Sequence, residues 1–263
     1  MTDDRPSVRW GRALEAWAIP DEILERAPES PYRLPPGLFA RHRTHTDSRS
    51  RRRGLESLPE KGSVVDVGVG AGAASLALVP RAGYITGVDE SPEMLNAFVA
   101  AAKDAGVEHV AVSGTWPDVA DEVPIADVAV CHHVFYNVPD LVPFVIALTA
   151  AARHRVVVEL TGTHPLTAMN KWWRHFHGLD RPTGPDSHLA AEVVREAGAT
   201  VSIEDYERPS RWLHAERSDL VAFIRTRLCL TSDHDAEIDR LLEEADIRAP
   251  RSVTTLWWDG SAR

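Results

Sequence analysis

Short, nearly all-apolar runs alternate with longer amphipathic stretches through the middle of the chain. Residues 63–67, 84–88, 107–112, 125–131 and 155–160 each read as a buried strand, because a strand covered on both faces shows no polar alternation. Helical stretches separate them: a short one from Ala73 to Leu78, one from Ser91 to Ala105 that stops at Gly106, and one over 140–152. Ser91 suits the cap of the second, and Pro92 suits its first turn, where a missing N–H costs nothing. The alternation predicts an α/β fold, an open parallel sheet with helices on both faces. Right-handed crossovers then bring every parallel strand's C-terminal end to one edge, where such folds bind ligands.

The flanks are less regular. Trp10, Leu14, Trp17 and Ala18 predict a helix over 7–18, and Asp21 is placed to cap a second short helix reaching Ala27. Four prolines (28, 31, 35 and 36) then interrupt the chain before a further helical stretch from Pro36 to about Arg53, which carries Leu38, Phe39 and a dense Arg/His face. This preface has too little periodic apolar surface to fold alone. The division is therefore a helical cap or lid over 1–58 and a main domain over 59–263. Past residue 161, helices are expected at 166–176, 189–197, 217–229 and 234–245, and strands at 199–206 and 252–258, the last two side by side at the end of the sheet.

Composition narrows the class. The chain has 263 residues, 44% of them hydrophobic, with 29 Lys+Arg against 39 Asp+Glu and a net charge of -10. That suits one core plus an added cap and disfavours a general nucleic-acid binder. Two cysteines give no disulfide framework, no apolar run reaches membrane-spanning length, and the first residues do not resemble a signal peptide, so a soluble cytoplasmic protein is expected. Arginine greatly outnumbers lysine, which reflects coding bias or anion binding through planar forks. Arg41, Arg43, Arg49 and Arg51 to Arg53 form one basic cluster: a solvated face, a contact for an anionic small substrate, or a nucleic-acid contact. The histidine pairs 42/45 and 175/177 lack a clear carboxylate or thiolate partner, so no metal is expected.

The most informative stretch is Val64-Val65-Asp66-Val67-Gly68-Val69-Gly70-Ala71-Gly72. Alternate glycines after a buried strand let the backbone turn sharply and approach a ligand closely, and the next helix offers unpaired N–H groups. Asp66 would repel a pyrophosphate and attract an ammonium. Asp89, ending the next strand, is placed to accept both hydroxyls of a ribose. These features point to a ligand with an adenosine-like end and a zwitterionic end.

Asp66-x-Gly68-x-Gly70-x-Gly72 resembles the glycine motif of class I S-adenosylmethionine-dependent methyltransferases, and Asp89 matches that family's ribose-binding acid. The resemblance covers residues 55–160 well and 161–263 weakly. It implies a Rossmann-like, mostly parallel seven-stranded sheet with an antiparallel C-terminal hairpin and a helical insertion over about 207–250. It also implies S-adenosyl-L-methionine as cofactor and S-adenosyl-L-homocysteine as product. Carried over by position, Gly68, Gly70 and Gly72 would contact the cofactor, Asp66 its ammonium and Asp89 its ribose, with Glu90 and Met94 near the adenine. Where the family often has a Gly-Asp pair after the third strand, this chain has Gly114-Thr115-Trp116. Either Trp116 covers the adenine face instead or Asp118 reaches in, with core packing as the plain reading of Trp116.

Family members place the residues after the fourth strand beside the transferred methyl group, here Cys131-His132-His133-Val134-Phe135-Tyr136-Asn137. This stretch is more similar to the His-containing segment of small-molecule methyltransferases than to the Asn/Asp-Pro-Pro-aromatic pattern. His132 or His133 could serve as a base for a hydroxyl or acidic carbon acceptor, or one of them bonds to backbone. Tyr136, Trp172, Trp173, Arg174 and His175 are candidate acceptor-wall residues, with core packing as the plain reading of the tryptophans, and Phe39 and His42 are candidates for the lid. The resemblance thus implies methylation of a small molecule. An RNA- or protein-directed methyltransferase and a non-catalytic cofactor-binding partner protein are the rivals, and the oligomeric state is left open.

Overall fold

The computed structural model describes residues 4–32, 48–210, 215–244 and 249–261. Seven strands form one sheet: β1 (Gly62–Val67), β2 (Ala82–Asp89), β3 (Glu108–Ser113), β4 (Ala126–His132), β5 (Ala152–Thr161), β6 (Ser202–Arg208) and β7 (Arg251–Asp259). Their order is β3-β2-β1-β4-β5-β7-β6. β1 to β5 run parallel, and β7 is antiparallel to both of its neighbours. This is the open α/β sheet with a C-terminal hairpin that the sequence and its resemblance predict.

The helices are α1 (Pro6–Glu15), α2 (Asp21–Leu24), α3 (Arg49–Ser57), α4 (Ala73–Leu76), α5 (Pro92–Asp104), α6 (Leu141–Ala150), α7 (Asn170–His177), α8 (Ser187–Glu196), α9 (Arg217–Arg227) and α10 (Asp235–Glu243). Ser91 caps α5 by accepting from Met94 N at 3.4 Å, with Pro92 opening the helix. Asp21 does not cap α2: Pro20 holds that position, and Asp21 lies in the first turn, where its charge still complements the helix dipole. β6 starts at Ser202 rather than at residue 199, after α8 ends and Gly198 turns the chain with φ +94°.

One apolar cluster covers the sheet face that meets α1, α6 and α8, with Trp10, Phe135, Phe144 and Leu256 among its members. A second covers the other face, with Val64, Phe98, Val130 and Val157. Burial on both faces explains the all-apolar strands. A third cluster lies apart from the sheet, where Ile19 and α7 pack against α9 and α10 through Trp172, Trp173, Ile224 and Leu242. No helix among the described residues is long and apolar enough to cross a membrane.

Candidate cofactor and acceptor site

Side by side in the sheet, β1, β2 and β4 bring the glycine turn, Asp89 and the two histidines to one edge. The turn after β1 runs through three glycines with positive φ, +72° at Gly68, +52° at Gly70 and +84° at Gly72. Two of them serve different purposes. A Cβ at Gly68 would run into the Val134 side chain, so this glycine permits close packing of two loops. At Gly70 a Cβ would meet nothing within 4 Å, so the backbone there borders open space. Gly70 N donates to Asp89 Oδ2 at 2.9 Å, and Ser91 N donates to Asp89 Oδ1 at 2.9 Å, which fixes the carboxylate at the end of β2.

Asp66 lies beneath the turn and is only 1% exposed. Its Oδ2 accepts from Ser75 Oγ at 2.6 Å and from Ser75 N at 3.2 Å, while its buried Oδ1 has no hydrogen-bond partner. Burial pushes its carboxyl up to about 6, against the lowering effect of the Ser75 hydrogen bonds, and the charge of Asp89 adds to the rise. An unmatched buried carboxylate oxygen next to a glycine turn with open space suits a ligand that brings an ammonium group. Glu90 is exposed and Met94 is half-buried in the first turn of α5. Trp116 is not an open cofactor wall: it is buried in the core, and its Nε1 donates to Phe144 O at 3.3 Å.

On the acceptor side, His132 ends β4 and His133 follows it with φ +60°, an uncommon conformation for a residue with a side chain. His133 N donates to Glu159 O at 2.7 Å, and His133 Nε2 lies 3.4 Å from Glu159 Oε1. Glu159, near the end of β5, was not among the residues singled out from sequence. It is fully buried, accepts from Ser50 Oγ and Tyr206 Oη at 2.6 Å each, and pairs with Arg208. Burial pushes its carboxyl up, but the His133 contact and the charges of His132, His133 and Arg208 outweigh that and hold it well below the usual carboxylate range. Glu159 therefore stays ionised in contact with the His133 ring.

The expected aromatic acceptor wall is largely core. Trp172 and Trp173 are 4% and 2% exposed inside the third cluster. Neighbouring residues cannot share one helical face, yet both rings are buried in that cluster, and Trp173 also packs on His177 and under the Arg181 guanidinium. Arg174 pairs with Asp180 and His175 with Glu237 at 2.8 Å, both on the exposed surface. Tyr136 is buried too; it donates to Thr161 O at 2.7 Å and stacks on Trp10. Phe39, His42, Arg41 and Arg43 lie outside the described residues, as does most of the predicted Pro36–Arg53 helix.

The described part of the basic cluster is spent internally. Glu204 pairs with Arg49 at 3.2 Å, Arg52 at 2.9 Å and Arg53 at 3.0 Å, while Arg51 Nε donates to Ala77 O at 2.7 Å. These contacts clamp α3 to the sheet.

Topology and turn together define a class I S-adenosylmethionine-dependent methyltransferase fold. Residues 65–158 match the family model Methyltransf_11, described as a methyltransferase domain. Among solved structures, the chain resembles a cyclopropane-fatty-acyl-phospholipid synthase-like protein from Lactobacillus casei (TM-score 0.51, 15% identity, 95% of this chain and 98% of that one). It also resembles magnesium protoporphyrin IX methyltransferase from Synechocystis, solved with bound S-adenosylhomocysteine (TM-score 0.51, 13% identity, 86% and 93% covered). Among curated proteins it is similar to the 23S rRNA (uracil(1939)-C(5))-methyltransferase RlmD of Chromohalobacter salexigens, with 29% identity over 123 residues. That match takes in 46% of this chain and only 26% of the relative.

Proposed function

We propose that the chain transfers a methyl group from S-adenosylmethionine to a small-molecule acceptor. The observation that carries this reading is the open space at Gly70, set between the buried, partnerless Oδ1 of Asp66 and the fixed carboxylate of Asp89. Asp66 would meet the cofactor's ammonium and Asp89 its ribose hydroxyls, with Glu90 and Met94 flanking the adenine. The cofactor supplies a methyl group activated by its sulfonium. The protein's part is to hold the acceptor atom in line and to keep water out. His133 takes the acceptor's proton, and Glu159 acts as a positioning residue that holds the imidazole and favours its protonated form. The rRNA chemistry named for RlmD is not carried over, because the match takes in only 26% of that protein, and Arg49, Arg52 and Arg53 here are engaged by Glu204.

Titration calorimetry with S-adenosylmethionine, S-adenosylhomocysteine and NAD tests the reading. Micromolar binding of the first two and none of NAD is expected. In Asp89→Ala the affinity for both should fall at least tenfold, because the ribose hydroxyls lose their acceptor. Wild-type affinity in that variant would overturn the assignment.

A further inference from the structure

Among the described residues, Arg49, Arg51, Arg52, Arg53, Arg155, Arg208 and Arg251 lie on the sheet face that carries α3, and six of these seven have a partner. Arg49, Arg52 and Arg53 share Glu204, Arg155 pairs with Glu56 at 3.0 Å, Arg51 uses a carbonyl, and Arg208 pairs with Glu159. The seventh is Arg251. Arg251 stands directly opposite Arg208 in the antiparallel β6–β7 pair, so the two guanidinium groups rise from the same face. Like charges directly opposite in a sheet destabilise it. Glu159, the buried carboxylate of this corner, is already taken by Arg208, Ser50 and Tyr206. Arg251 has neither a hydrogen bond nor an ion pair among the described residues, and its Nε is buried without a partner. Burial, and then the charge of Arg208, lower its affinity for its own proton and outweigh the opposing pull of Glu159 and Tyr206, so the cation is under-compensated where it stands.

This corner belongs to the acceptor side, since His133 leans on the same Glu159 that holds Arg208. We propose that Arg251, backed by Arg208, is the subsite for a carboxylate or phosphate on the methyl acceptor. The inference rests on the methyl-transfer reading for what the acceptor is, but not for whether an anion binds. A planar guanidinium with an unused Nε–H suits a two-oxygen anion. The arrangement resolves the charge conflict only when the acceptor is present, so the cost of placing two guanidinium groups together is recovered on binding. It also selects against neutral analogues, which would leave the buried cation unmatched.

Calorimetry on the full chain, with and without saturating S-adenosylhomocysteine, tests this with benzoate, phenyl phosphate and benzyl alcohol as probes. The two anions should bind and the neutral alcohol should not; preference between the anions tells carboxylate from phosphate. Arg251→Gln should weaken anion binding at least tenfold while leaving S-adenosylhomocysteine affinity unchanged, and Arg251→Lys should recover part of it. Without ligand, Arg251→Gln should melt no lower than wild type, since it removes an uncompensated charge. Cofactor binding with no anion binding, or anion binding unchanged in Arg251→Gln, would overturn the subsite. Anion binding that depends on Arg251, with no cofactor binding, would keep the subsite and overturn the methyl-transfer reading instead.

Discussion

A carboxylate buried without a full set of partners costs stability, and Asp66 is such a group. Its folded value of about 6 lies above its ordinary value of 3.8. The folded state therefore binds more protons between about pH 4 and 6, so stability falls as pH rises through that window and stays reduced above it. The penalty at neutral pH is about 2–3 kcal/mol. Asp66→Asn should thus raise the melting temperature at pH 8, have little effect near pH 4, and weaken S-adenosylmethionine binding. Loss of stability at pH 8 would contradict this account. The Asp66 and Asp89 positions were legible in the sequence because a turn and the next strand end are local features. Glu159 was not, because its partners Ser50 and Tyr206 lie 109 and 47 residues away. A lone glutamate in an apolar strand is a signal, but one that gives no partner.

The helices before the sheet are docked by aromatic contacts. Trp17 stacks on His164 with ring centroids 3.9 Å apart and donates to Gly184 O, and Trp10 donates to Val138 O at 2.8 Å. The helix carrying Trp10 was visible in the sequence, but it ends at Glu15, short of the predicted residue 18, so Trp17 lies in the turn beyond it; the rings the two tryptophans meet were not visible. Burial, helped by the charge of Arg181, lowers His164 to about 4 from 6.5. A histidine lowered on folding adds stability above pH 6.5 that is lost as the pH falls toward 4. Tryptophan fluorescence should report loosening of this segment across that window. In His164→Phe, which keeps a ring under Trp17, that step should be absent; an unchanged acid transition would place its cause elsewhere.

Across the whole molecule, the open parallel sheet with helices on both faces followed from alternation, and the antiparallel pair from the family resemblance; the order of the strands came from the structure. The third apolar cluster was hidden, because a helical wheel of 170–177 cannot show that both of its tryptophans are buried. Since Trp172 belongs to that cluster, Trp172→Ala should cost about 3–5 kcal/mol. Faster hydrogen exchange over 217–243 should follow, with S-adenosylhomocysteine affinity kept within twofold. A tenfold loss of that affinity would instead tie the cluster to the cofactor. Net charge misleads in a similar way: an acidic chain still gathers a group of guanidinium groups from α3, β5 and β6 around Glu56, Glu159 and Glu204.

The missing side chain of Gly68 leaves a notch that Val134 fills, one residue beyond His133. The glycine turn and the loop that carries His133 are therefore geared together like two teeth. Any added atom at the notch would push Val134 and, with it, the neighbouring histidine, so van der Waals radii set the spacing of the two loops.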